Sequence, residues 1–89
     1  MANHPSAEKR NRQRIRRTER NRRVRSSVRS SVKKARASLA AGKLETAKTN
    51  VHEAARALAR AASKGVIHVK AASRTTARIE AALSKLARG

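Results

Sequence analysis

Residues 44–65 read LETAKTNVHEAARALARAASKG, and the spacing of their apolar side chains decides the fold class. Apolar residues recur three and four positions apart, as on one face of an α-helix, and the run ends in a glycine, which commonly terminates helices. No stretch of the chain shows the period-two alternation that is typical of strands. The spacing therefore predicts an amphipathic helix whose buried seam is formed by Leu44, Ala47, Val51, Ala54, Leu58 and Ala61.

The same helical spacing occurs on both sides of this segment, and Gly42 and Gly65 separate the three stretches. We predict helices at about 6–41, 44–63 and 69–87, with Pro5 suited to the first turn and Val66 and Ile67 covering the end of the core. The chain is thus expected to be all-α: one domain, 1–89, folded as a three-helix bundle with an overlong, highly basic N-terminal helix. The seam of the first helix is Val24, Val28, Val32, Ala35 and Leu39, and that of the third is Ala72, Thr76, Ile79, Leu83 and Leu86.

The hydrophobic content of 38% overstates the core, because 19 of the 89 residues are Ala and none is Phe, Tyr or Trp. The larger apolar side chains are six Val, three Ile, five Leu and Met1. Burial of so few side chains barely offsets the conformational entropy lost on folding. We therefore expect a thin bundle that is marginally stable alone and becomes rigid on its partner.

Charge is the second informative feature: 24 Lys and Arg against 5 Glu give a formal net charge of +19. The basic arm, defined as residues 8–23, contains nine cations, two Glu and one sizeable apolar side chain, Ile15. Eight of the nine cations are Arg, whose planar guanidinium suits bidentate phosphate contacts. Such a segment predicts a helix that binds a polyanion. The cations assigned to this contact are Lys9, Arg10, Arg12, Arg14, Arg16, Arg17, Arg20, Arg22, Arg23 and the adjoining Arg25.

A second basic cluster surrounds the turn between the second and third helices. Lys70 lies near a helix N-terminus, where backbone N–H groups also favour a phosphate, and Arg74 and Arg78 are one turn apart. A plain helix–helix turn with solvated charges is the alternative interpretation. The residues predicted to contact the polyanion here are Lys64, His68, Lys70, Arg74 and Arg78.

Catalytic and metal-dependent functions are disfavoured by the composition. The chain has no Cys and no Asp, and its five Glu are dispersed. His4, His52 and His68 are far apart in sequence, so they do not form a metal-binding pattern. No apolar run of about 18 residues is present to span a membrane. We therefore expect a soluble cytoplasmic protein that is not an enzyme and uses no cofactor, no metal and no small-molecule substrate.

Nucleic acid is the favoured polyanion. The valine stripe ends at Gly42 after a few turns, so no leucine zipper follows the basic region. The absence of aromatic residues disfavours stacking platforms for single strands. Recognition of backbone and shape remains, and structured RNA, with phosphates crowded from several helices, suits an arm charged on all sides.

Several short motifs carry a resemblance to the bacterial small-subunit ribosomal protein S20 family. These are Met1-Ala2-Asn3, the Ser6-Ala7-x-Lys9-Arg10 motif, Ala41-Gly42-Lys43, and the Ala61-to-His68 turn, AASKGVIH. The chain departs from the family pattern at Val69, Ala71, Thr75 and Thr76, whereas His68, Arg74 and Arg78 still align. The resemblance spans essentially the whole chain. It implies direct binding of small-subunit (16S) ribosomal RNA, early in assembly, in the 5′ domain at the bottom of the subunit body.

The expected role is therefore that of a structural constituent of the small ribosomal subunit that does not form homo-oligomers. A histone-like protein that compacts DNA is the alternative. A membrane-active cationic peptide is a third hypothesis, and it is disfavoured because the arm has no apolar face.

Overall fold

The structure of the chain is a computed structural model that describes residues 5–89. It consists of three helices, α1 (Pro5–Ala40), α2 (Leu44–Ser63) and α3 (Val69–Ala87), with no strand in the described range. The all-α fold predicted from the sequence is confirmed, and the helix ends lie within about one residue of the predicted ones. Met1–Asn3 and His4 lie outside the described residues.

Glycine ends both α1 and α2 by the same local geometry. Gly42 and Gly65 have φ of 71° and 76°, in the left-handed region that favours glycine. After α2, the N–H of Gly65 donates to the Ala62 carbonyl and that of Val66 donates to the Ala61 carbonyl, at 3.0 and 2.9 Å. This is the Schellman arrangement, which satisfies the last carbonyls of a helix and reverses the chain direction.

The central helix of the bundle is α2, which packs extensively against α1 and less extensively against α3, whereas α1 and α3 contact each other little. The described chain measures 67 × 20 × 13 Å, and its radius of gyration is 17.8 Å. A compact domain of this length would have a radius of gyration of about 12 Å. The molecule is therefore elongated, because α1 is nearly twice as long as the helices against which it packs.

The core is a single layer of small and β-branched side chains between the helices. The buried members of the predicted seams are Val28, Val32, Ala35, Ala47, Val51, Ala54, Leu58, Ala61, Ala72 and Ile79. Side chains at the seam ends, such as Val24, Leu39 and Leu83, are only partly buried and pack against this layer. Val66 and Ile67 also pack against it, as predicted for the turn. The stability of the bundle therefore depends on the short central part of each seam, where these side chains are buried.

A buried polar pair joins α1 to α2, and the apolar periodicity gave no sign of it. Ser38 and Asn50 are each 8% exposed, and the Asn50 side-chain amide donates to Ser38 Oγ. The Ser38 hydroxyl in turn donates to the Lys34 carbonyl at 3.0 Å. Because a slip of either helix would leave these groups buried and unpaired, the pair favours a single register of α1 against α2.

Replacing Asn50 with Ala is expected to lower the free energy of unfolding by about 1–3 kcal/mol, because a buried hydrogen bond is lost and its space is left unfilled. Chemical denaturation of the free protein measures this change. The neighbouring Thr49→Ala is the control, since Thr49 is exposed and its effect should stay within about 0.5 kcal/mol. Equal effects of the two substitutions would show that the polar pair adds nothing to stability.

Candidate nucleic-acid interface

The basic arm is the exposed first half of α1. Every residue from 6 to 20 is exposed, and burial begins at Asn21 and Val24, which are half-buried. The arm is a continuous part of the helix and extends about 24 Å over its sixteen residues. The bundle therefore holds the arm at one end only.

The cations of the arm surround the helix. Each residue turns the helix by about 100°, so Arg10 and Arg14 lie on one side while Arg12, Arg16 and Arg23 lie on the opposite side. The sectors between these two sides are occupied by the remaining cations of the arm. All ten cations predicted at this site are exposed: Lys9, Arg10, Arg12, Arg14, Arg16, Arg17, Arg20, Arg22, Arg23 and Arg25.

Few intramolecular contacts engage these cations. Arg14 donates from Nη2 to Asn11 Oδ1 at 3.0 Å, and Arg25 donates from Nε to the Asn21 carbonyl at 3.4 Å. Within residues 5–89 the one ion pair joins Lys48 to Glu45, at 3.6 Å in the first turn of α2. Neither Glu of the arm pairs with a neighbouring Arg in this range, so the guanidinium groups present most of their donors to the surroundings.

The arm should therefore exchange its amide hydrogens faster than the bundle in the free protein. Its helix has no tertiary support, and its like charges repel one another at one-turn spacing. Hydrogen exchange followed by NMR is expected to show residues 6–20 weakly protected and the buried part of α2 strongly protected. Addition of RNA should raise protection in the arm. Equal protection along all of α1 in the free protein would contradict this interpretation.

A row of cations lies on the outer face of α3. Lys70, Arg74 and Arg78 are spaced by four residues, are exposed, and lie on the side of α3 away from the buried Ala72 and Ile79. The row spans two helical turns, or about 12 Å. It can therefore contact successive phosphates along one strand.

His68 begins α3 in a defined orientation. It is the N-cap residue, and its Nδ1 accepts the backbone N–H of Lys70 at 3.1 Å. In the neutral imidazole the proton must then be on Nε2. That atom belongs to an exposed side chain and is a hydrogen-bond donor suited to a phosphate oxygen or a ribose hydroxyl.

Lys64 belongs to a different surface from the other residues of the predicted turn cluster. It is the C-cap residue of α2 and lines a groove between α1 and α2 together with Arg23 and Arg60. Arg60 was not among the predicted contact residues, although its four-residue spacing from Lys64 places both on one face of α2. The structure therefore distributes the predicted cations over three surfaces: the arm, this groove and the outer row of α3.

Other kinds of site have little support in the described part of the chain. No group of three His or acidic side chains that could hold a metal ion is found among the described residues. Glu53 and Glu80 form no ion pair in the described range. No helix of the described chain is both long enough and apolar enough to cross a membrane.

The fold and the surface define the class: a small, all-helical, strongly basic protein with a projecting Arg-rich helix. A sequence model of the family described as Ribosomal protein S20 matches residues 2–84. The chain belongs to this family.

Full-length relatives support the same assignment. The chain is 55% identical to small ribosomal subunit protein bS20 of Sorangium cellulosum (strain So ce56), over 96% of this chain and 89% of the relative. It is 51% identical to the bS20 protein of Anaeromyxobacter sp. (strain Fw109-5), over 98% and 97% of the two chains. It is 45% identical to that of Maridesulfovibrio salexigens, over 98% and 100%.

Proposed function

We propose that this chain is a structural, non-enzymatic constituent of the small ribosomal subunit. In this role it binds 16S ribosomal RNA directly and early in assembly, in the 5′ domain at the bottom of the subunit body. Family membership supports the place in the small subunit. The direct contact is supported by one observation above all: the arm carries exposed cations on every side and no ion pair in the described range.

The distribution of charge suggests how the arm binds. Cations confined to one face would suit a helix lying on the outside of a duplex. Because Arg14 and Arg16 lie on opposite sides, the arm is better suited to a crevice in which phosphates approach from several directions. Folded RNA offers such crevices where its helices pack together, and bidentate Arg–phosphate contacts would hold the arm there.

The outer row of α3 adds a second contact surface, which begins at the end of the bundle nearest the arm, since the end of α2 lies beside Arg23. Lys70, Arg74 and Arg78 would bind phosphates, and Nε2 of His68 would donate to a phosphate or a ribose hydroxyl. The packing of the bundle holds this row in a fixed position relative to the arm. A single copy of the protein would thereby bridge separate segments of RNA and restrict their relative motion, which is how a non-catalytic protein promotes assembly.

Co-sedimentation tests the proposal against a histone-like, DNA-compacting role. The full chain, expressed with an epitope tag in a bacterial host, is expected to migrate with small ribosomal subunits in high-magnesium gradients and to be depleted from nucleoid fractions. A variant with Gln at Arg14, Arg17, Arg20 and Arg23 should shift toward the top of the gradient. Recovery of the unaltered chain mainly with the nucleoid would overturn the ribosomal role.

A further inference from the structure

The limited contact between α1 and α3 leaves an open groove between them. The groove has a volume of about 380 Å³. Its floor is apolar and consists of Val28, Val32, Leu58 and the half-buried Ile67. Val28, Val32 and Leu58 are buried, so the apolar surface that water reaches in the groove is that of the half-buried Ile67 and the exposed Ala71. This surface is best covered by an apolar part of a ligand.

The α1 wall of the groove is basic, whereas the α3 wall is lined by small uncharged side chains. Arg29, Lys33 and Arg36 line the α1 wall and are all exposed. Ala71 and Thr75 line the α3 wall, and Arg78 lies beyond the groove, about 10 Å further along the same side of α3. None of the described residues that line this groove is acidic. A groove with an apolar surface beside one cationic wall matches a ligand that has an apolar body and an anionic edge.

The α1 wall continues the basic arm without a gap. Arg22, Arg25, Arg29, Lys33 and Arg36 are spaced by 3, 4, 4 and 3 residues, so they form one stripe along α1. The stripe is about 21 Å long and extends from the arm to the far end of the groove. The groove between α2 and α3 differs, because Glu80 is the one charged residue among the described residues that line it. Charge therefore favours a polyanion at the α1–α3 groove over the α2–α3 groove.

We propose that the α1–α3 groove holds an unpaired nucleotide of the RNA that the arm binds, with its base on Ile67 and Ala71 and its flanking phosphates on Arg29, Lys33 and Arg36. This inference rests on the proposed function. The sugar–phosphate exterior of a duplex is polar and would leave the floor uncovered. An unpaired base exposes flat apolar faces, and its backbone brings phosphates to the α1 wall.

The first test compares two hairpin RNAs that are identical except for one unpaired nucleotide in the stem. The unpaired position carries 2-aminopurine, whose fluorescence reports on its surroundings. Binding of the full chain is expected to change the emission and to be tighter for the RNA with the unpaired nucleotide. Equal affinities with unchanged emission would overturn the inference. Failure of both RNAs to bind in a salt-sensitive manner would instead overturn the proposed function.

Filling the groove is the second test. Ala71→Leu places a larger side chain on the α3 wall at an exposed position, and it is expected to weaken binding of the RNA with the unpaired nucleotide about tenfold. Binding of the fully paired RNA should change less than about twofold. Ala77→Leu is the matched control, since Ala77 is exposed on α3 but lines the α2–α3 groove. Equal effects of the two substitutions would contradict the inference.

The third test removes the positive charges of the α1 wall. Replacing Arg29, Lys33 and Arg36 with Gln should lower the magnitude of the slope of log K against log salt by about 2 and abolish the fluorescence change. The control replaces Lys34, Lys48 and Arg56, which are exposed cations away from the groove. An unchanged fluorescence response in the wall variant would overturn the assignment. So would Ala71-dependent binding of a Glu-rich amphipathic peptide without any response of the base, which would identify a protein partner.

Discussion

Replacing Arg14, Arg17, Arg20 and Arg23 with Gln is expected to weaken RNA binding about 10²–10³-fold at 100 mM salt, because up to four phosphate contacts are lost. Each contact that neutralises a phosphate releases a condensed counterion, and this release drives binding. All four residues are exposed on α1, and none belongs to the buried layer. The loss should therefore come from the interface and not from the fold.

The salt dependence provides the measurement. If the unaltered chain neutralises six to ten phosphates, its affinity should fall about 10³–10⁵-fold between 50 and 200 mM monovalent salt. The magnitude of its slope of log K against log salt should exceed that of the four-Arg variant by about 3. A control with Gln at Lys34, Lys48, Arg56 and Lys85 removes the same charge from the bundle. A salt-independent affinity of the unaltered chain would contradict the phosphate contacts.

Thermal unfolding separates this account from a structural role of the arm. Gln is a good helix former, and fewer like charges on α1 reduce repulsion. The transition of the four-Arg variant should therefore stay in place or rise slightly. If the variant unfolded at a lower temperature and still bound RNA normally, the arm would be part of the folded scaffold and our division of the molecule would be wrong.

The helices could be predicted closely from sequence because their signals are local. Apolar spacing and the two glycines act within a few residues of chain, so Gly42 and Gly65 mark the ends of α1 and α2 without knowledge of any tertiary contact. The arm was equally predictable. A helix segment that contains one sizeable apolar side chain, Ile15, has no face to bury.

Features that depend on how the helices cross could not be predicted in this way. The Ser38–Asn50 hydrogen bond joins residues twelve positions apart and exists only in one register of α1 against α2. The α1–α3 groove arises because these two helices contact each other little, and helix-packing geometry is not encoded in the period of a single seam. For the same reason Lys64 was predicted to belong with the cations of α3, whereas the structure places it beside Arg23 and Arg60.

Ile79→Ala is expected to reduce the free energy of unfolding by about 2–5 kcal/mol, the range observed when a fully buried Ile is truncated. Ile79 is 2% exposed in the layer between α3 and α2. An ordinary domain of this length is stable by about 4–13 kcal/mol, and a thin core without aromatic residues belongs at the low end. The variant should therefore be partly unfolded at 37 °C, as followed by the loss of helical circular dichroism during thermal and urea denaturation.

The matched control is Ile15→Ala, because Ile15 is the same residue type but lies 49% exposed on the arm. The free energy of unfolding of the Ile15→Ala variant should change by less than about 0.5 kcal/mol.

The RNA affinity of the Ile79→Ala variant should fall only by the factor by which its folded population falls, since Ile79 reaches no basic surface. Saturating RNA should then restore much of the lost helicity, because a ligand that binds only the folded state stabilises it by mass action. A larger loss of affinity than of folded population would show that the packing of α3 on α2 also shapes the RNA contact. Equal destabilisation by Ile15→Ala would show instead that the arm packs against the bundle.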